Sequence, residues 1–355
     1  MRDAARTRTV GLALAVLSSV CFGASGPFGK ALIHAGLTPW QAVWLRITGA
    51  ALVLVPLALL LRGRGAVRSV RPHLAYVAGY GLTGVAGAQA FYFVAASRLP
   101  VGVAILLEFC GPILVLGWTR LVRRAPVHRS AAAGVAVAMV GLTMVVQVWD
   151  GLRLDSLGLA AGLGAAACQA GYFLLIDRLT GQVDPLVMTT AGTVVSAAVL
   201  VVPAAPWALP WDVLPAAVPV GGHSAPAWLL AAWIIVVSTV LAYLTGVAAV
   251  QRLSAQVAGA ICYTEAVAAT LLAWAALGER LAPVQLAGGA IVLVGAFLAQ
   301  RAAADTMPAD AVSPGPVPAV GGPATASASA TAGGHVPEGG PEDPGDAAAA
   351  HALSR

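Results

Sequence analysis

AILLEFCGP, residues 104–112, lies in the middle of an apolar run from Pro100 to Val122. About 20 apolar residues in a helix cross the ~30 Å hydrocarbon core of a bilayer, so this run is long enough to span one. Glu108 stands inside it, between Leu107 and Phe109, with Gly111-Pro112 one turn further on. A carboxylate at that depth is costly against acyl chains and must face a protein-lined cavity, a partner or a proton. Gly-Pro loosens the helical hydrogen-bond ladder beside it, which makes Gly111 and Pro112 the candidate helix-flexing point.

The whole chain has the same character. Of its 355 residues 59% are hydrophobic and only 10% charged, against about 25% charged in a soluble domain. Too few polar groups exist to cover a surface in water, so the main solvent is lipid. The net charge of +5 is carried almost wholly by arginine, with Lys30 the single lysine. Because the arginines fall in short gaps between apolar runs, they speak for membrane orientation and against nucleic-acid binding. Cys21, Cys110, Cys168 and Cys262 each lie inside an apolar run without CxxC spacing. That pattern gives no disulfide framework and no metal site, and it fits small residues in helix packing.

Ten runs qualify as spans: 10–33, 40–61, 73–97, 100–122, 129–148, 156–178, 184–203, 226–250, 254–277 and 284–301. The first follows Arg2, Arg6 and Arg8 and resembles a secretory signal with a cut at Ala24-Ser25. We read it as a retained helix, because its pattern recurs in the second half. The longest gap, 204–225, holds four prolines with Trp207 and Trp211 and reads as a loop at the headgroups. With the amino terminus inside, fourteen Arg residues fall on the cytoplasmic side and four basic residues, Lys30, Arg98, Arg153 and Arg280, on the other. This bias supports ten spans with both termini cytoplasmic in the inner membrane. Residues 302–355, rich in Ala, Gly, Pro and Ser, cannot bury enough apolar surface to order and read as a disordered cytoplasmic tail.

The two halves can be superposed. Arg98-Leu99, Gly134, Ala136 and Val140-Gly141 match Arg252-Leu253, Gly288, Ala290 and Val294-Gly295 at a constant offset of 154 residues. Five spans per half is an odd number, so the halves insert with opposite orientation. The expected fold is an all-α integral membrane protein of ten transmembrane helices in two inverted five-helix repeats, 10–148 and 149–301, after a cytoplasmic segment 1–9. Secondary transporters commonly have this architecture, with the site at mid-depth between the repeats.

The candidate chemistry lies at that depth. Glu265 in the ninth span aligns with Gly111, one helical turn from Glu108. The two glutamates are the proton-coupling candidates, and a protonated glutamate in one interhelical hydrogen bond is the structural alternative. Arg46, six residues from Trp40, either snorkels to the interface or serves as a counter-ion for Glu108 or a clamp for a substrate carboxylate. Lys30 is nearer its span end and is expected to snorkel. Gln89, Tyr92, Gln169, Tyr243 and Tyr263 lie within spans and need partners in lipid, so they are the remaining substrate-cavity candidates. No Walker loop, HExxH, GxSxG or dinucleotide fingerprint occurs, so no enzyme, ATP-driven pump, cofactor or metal is expected.

The stretch 262–280, CYTEAVAATLLAWAALGER, followed by LAPVQLAGGAIVLVGAFLA at 281–299, resembles spans nine and ten of the drug/metabolite transporter superfamily, EamA type. PVGVAILLEFCGPI at 100–113, followed by Arg123-Arg124, resembles more narrowly its threonine/homoserine exporter branch. Two departures stand out. The family usually has Glu-Pro where Glu265-Ala266 stands. Arg123 to Pro126 replaces a typical Gly-Glu, which leaves Glu279 without a partner in the other half, as an interfacial structural residue. The resemblance implies proton-linked export of small metabolites from a cavity lined by both repeats. The expected partners are an amino acid or similar small molecule, protons and the lipid bilayer, and a homodimer is compatible with the sequence. Efflux of drugs or cationic compounds is the alternative within the class, and a non-transporting scaffold or sensor the alternative outside it.

Overall fold

The computed structural model describes residues 2–122, 124, 129–147, 154–179, 183–250, 252–253, 261 and 263–305. Helices α1 (Arg2–Gly23) and α2 (Ser25–His34) form the first apolar stretch. Ser18 on α1 donates to the Ala242 carbonyl oxygen at 2.7 Å, and Cys21 is buried. The first stretch is thus packed into the bundle. The second is α3 (Pro39–Arg68). The third is composite: α4 (Leu74–Tyr80), a π-helical segment Gly81–Gly87, and α5 (Ala88–Arg98). Then come α6 (Val101–Glu108), α7 (Gly111–Leu121), α8 (Arg129–Val146), α9 (Ser156–Leu179) and α10 (Pro185–Ala204). The second half continues with α11 (Ala227–Ile235), a second π segment Val236–Leu241, α12 (Ala242–Val250), α13 (Thr264–Leu277) and α14 (Pro283–Asp305).

Among the described residues, four stretches, Thr9–His34, Pro39–Gly65, Pro185–Ala204 and Ala227–Ala249, are long and apolar enough to cross a membrane, and four more are apolar over shorter lengths. Their outward faces carry Leu52, Leu60 and Val202, each more than 70% exposed. Large aliphatics so exposed on long apolar helices fit a lipid-facing surface. The last helix runs to Asp305, past its expected end at 301. The residues from 306 onward, expected to be a disordered tail, lie outside the described residues.

One segment departs from the expected loop. After two short 3₁₀ turns at Pro206–Ala208 and Trp211–Val213, strands β1 (Ala217–Val220) and β2 (His223–Pro226) pair antiparallel. Gly221 and Gly222 supply the two positive φ angles, 58° and 79°, that a two-residue hairpin turn requires. The Gly221 amide donates to the Ala276 carbonyl oxygen at 2.9 Å, which pins the hairpin tip to the end of α13. Trp207 and Trp211 are exposed, as interfacial tryptophans are.

Equivalent elements recur at the offset read from the sequence. The π segments at 81–87 and 236–241 nearly coincide on it, and α8 and α14 begin 154 residues apart. The contacts of α8 with α14 are reciprocal. A Cβ at Gly141 would lie 2.7 Å from the Gly288 carbonyl oxygen, and one at Gly288 would lie 2.7 Å from that of Gly141. A Cβ at Gly295 would lie 2.6 Å from the Gly134 carbonyl oxygen. Residue numbers rise along one helix as they fall along the other, so these equivalents run antiparallel with their backbones in close approach.

Candidate functional site

Spans four and nine hold the centre of the site. The α6 helix ends at Glu108, and the next helix starts at Gly111 with Pro112 in its first turn. Between them the Cys110 amide turns back to the Leu107 carbonyl oxygen at 3.1 Å. The break falls where Gly111-Pro112 predicted it: proline brings no amide to the ladder, but it suits a first turn. In the second half α13 starts one residue after Tyr263, and Tyr263 stands 154 residues from Phe109. These two rings pack on each other, 5.4 Å between centroids. Val101 meets Glu279, a Cβ at Gly102 would meet Thr270, and Phe109 meets Tyr263, so α6 and α13 are antiparallel. This brings Glu108, the last residue of α6, to a level near Glu265, the second residue of α13. Glu108 is buried and Glu265 half-buried. Among the described residues neither carboxylate forms an ion pair or hydrogen bond. Cys262 lies outside the described residues.

Arg46 points inward. At 3% exposure its guanidinium does not snorkel, which corrects that reading. Its Nε donates to Thr239 Oγ1 at 2.7 Å, Nη1 donates to Gln89 Oε1, and Nη2 donates to the Ser238 carbonyl oxygen at 3.1 Å. The Phe93 ring lies under it, 5.8 Å from Cζ to the centroid. Thr239 and Ser238 belong to the second π segment, whose wider turn disturbs the regular carbonyl ladder and presents these acceptors to the guanidinium. In the first π segment the Gly81 carbonyl oxygen is taken by Ser196 Oγ at 2.8 Å. Arg46 makes no ion pair with Glu108, contrary to the counter-ion expectation, although Glu108, Glu265, Tyr92 and Tyr243 all lie within its electrostatic reach. All of its hydrogen-bond partners are neutral.

The remaining candidates line the same region. Tyr92 is buried with its hydroxyl unpartnered, laid against Gly26, where a Cβ would collide with it. Gln169 Oε1 is also unpartnered and sits over Gly111, 2.6 Å from where a Cβ would be. Tyr243 packs edge-on against Phe22 at 5.0 Å. Gln89 is the one candidate that touches Arg46 directly. Sequence reasoning missed Thr239, Ser238, Phe93 and Phe109. The 154-residue offset carries Phe109 to Tyr263 and would have found that pair. Nothing in the sequence distinguishes Thr239 from a packing threonine.

Two expectations are overturned at the hairpin end. Lys30 does not snorkel: it is 9% exposed, donates to the Leu99 carbonyl oxygen at 2.7 Å and pairs with Glu279 Oε1 at 2.6 Å. Glu279 therefore has a partner in the first half. Gly278, in the left-handed region at φ 70°, ends α13 with its amide bonded to the Trp274 carbonyl oxygen at 3.1 Å, and this turn redirects the chain so that Glu279 reaches Lys30.

Apolar helices with lipid-facing aliphatics, paired antiparallel around an unsaturated polar cluster, define a polytopic membrane protein with an internal polar site. The chain belongs to the EamA-like transporter family, which matches residues 9–147 and again residues 156–300. It is thus a multi-pass membrane transporter within the drug/metabolite superfamily, and no enzyme. It is 28% identical over 257 residues to the threonine/homoserine exporter RhtA of Escherichia coli K12, covering 70% of this chain and 77% of that one. To RhtA of Salmonella typhimurium LT2 it is 27% identical over 212 residues, covering 58% and 64%. One solved crystal structure shares the fold, with a TM-score of 0.54 at 19% identity over 85% of this chain and 98% of that one.

Proposed function

We propose that this protein is an inner-membrane secondary transporter that exports amino acids of the threonine/homoserine kind, or similar small metabolites, by alternating access and proton antiport. Ten spans in two inverted repeats, 10–148 and 149–301, would enclose the site, with both termini cytoplasmic. The observation that carries the reading is Arg46, a buried guanidinium whose hydrogen-bond partners are all neutral. A buried charge without a counter-charge is costly. A carboxylate-bearing substrate supplies the missing ion-pair partner while it is bound. Tyr92, Gln169 and Tyr243 line the same cavity and orient it, with Tyr263 packed beside the break. Glu108 and Glu265, level with each other and free of ion pairs among the described residues, exchange the coupled protons. Gly111 and Pro112 let span four bend as access alternates. Its similarity to the threonine/homoserine exporters supports an amino acid as the cargo.

The test is counterflow in proteoliposomes loaded with L-threonine. Labelled threonine should accumulate transiently, and a lipophilic cation should not compete with it. Counterflow of a labelled lipophilic cation with no threonine counterflow would replace this reading with cationic-compound efflux.

A further inference from the structure

A second polar site lies at the hairpin end. Glu279 is held at both oxygens: Oε1 by the Lys30 ammonium at 2.6 Å, and Oε2 by the Val101 amide, at the first turn of α6, at 2.8 Å. An ammonium and a helix-terminal amide together form a carboxylate cradle, filled here by the chain's own side chain. The cradle joins α2 and α6 to the turn after α13, and therefore joins the two halves of the sequence. It stands in the wall of an open vestibule of about 660 Å³, lined also by His34, Ser97, Arg98 and the hairpin glycines Gly221 and Gly222. Arg98 in this wall is already paired with Asp155 at 3.3 Å, so Lys30 is the cation that an incoming anion would meet, in place of Glu279. The Glu279 side chain is 17% exposed and can be reached from the vestibule.

We propose that this vestibule binds small carboxylates, and that an incoming carboxylate takes the place of Glu279 on Lys30 and Val101. Binding then releases the tie between α2, α6 and Glu279. The consequence, a latch at one end of the transport path opened by its own cargo, rests on the exporter reading. The binding site itself does not.

The experiment reads binding without transport. In full-length protein in nanodiscs, with the four native cysteines replaced, Ser97→Cys places a single thiol in the vestibule wall. Its labelling rate with N-ethylmaleimide is measured against sodium acetate and against acetamide with sodium chloride at equal ionic strength. Acetate should slow labelling several-fold and acetamide should not. Glu279→Gln weakens the internal competitor, so the half-protecting acetate concentration should fall several-fold, and Lys30→Met should abolish protection. Equal protection by acetamide, or loss of protection in Glu279→Gln, overturns the proposal. The glutamine variant keeps the test decisive if Lys30→Met does not fold. Threonine counterflow without acetate protection defeats this site alone, and protection without counterflow defeats only the exporter reading.

Discussion

Replacing Arg46 with glutamine tests the cavity at its most specific point. Glutamine keeps a donor near Gln89 and Thr239 but removes the charge and the planar fork. In the protein alone the effects oppose each other. The variant loses hydrogen bonds to Thr239 Oγ1, Gln89 Oε1 and the Ser238 carbonyl oxygen, and an orphaned buried acceptor costs about 1–3 kcal/mol. It also removes a buried charge that has no ion-pair partner, a relief of comparable size. Folding and expression should survive. Substrate recognition has no such offset. A hydrogen bond to a charged group contributes about 1.5–3 kcal/mol, which converts to about 10–150-fold in affinity. In threonine counterflow, KM should rise by that factor, and Arg46→Lys should fall between wild type and glutamine because an ammonium cannot reproduce the fork. A KM within twofold of wild type in Arg46→Gln, with normal expression, would refute the clamp.

Two further outcomes are expected. Gly288→Ala puts a Cβ 2.7 Å from the Gly141 carbonyl oxygen and 2.9 Å from the Val145 amide nitrogen. Overpacking of that kind costs about 1–3 kcal/mol, so the detergent-solubilised protein should melt earlier, whereas Gly117→Ala, with open space around it, should melt like wild type. Removing residues 306–355 should leave threonine counterflow unchanged; loss of counterflow would favour the scaffold or sensor reading.

Long apolar stretches such as Pro39–Gly65 and Pro185–Ala204 were legible because length and apolar content alone decide what can lie in a bilayer. The break after Glu108 was legible because Gly111-Pro112 states it locally. The repeat was legible from its constant offset, and the same offset relates Phe109 to Tyr263, which pack together. The π segments were hidden, because within a mostly apolar span no periodicity separates a wide turn from a regular one. With them went Thr239 and the Ser238 carbonyl, and hence the partners of Arg46. The Lys30–Glu279 pair was hidden for another reason. Each residue sits near the end of its own span, where snorkelling is the usual outcome, and only the packing of distant elements brings them together. The hairpin at 217–226 was written in Gly221-Gly222, but the surrounding prolines favoured a loop.

The claim on which the rest depends is that Glu108 and Glu265 meet a hydrated, proton-exchanging space between antiparallel equivalents. The most direct measurement is threonine flux in proteoliposomes with and without an imposed pH gradient, for wild type and for Glu108→Gln/Glu265→Gln. The gradient should accelerate wild type several-fold, while the double variant still exchanges threonine for threonine and ignores the gradient. A double variant that the pH gradient drives as well as wild type would contradict the account.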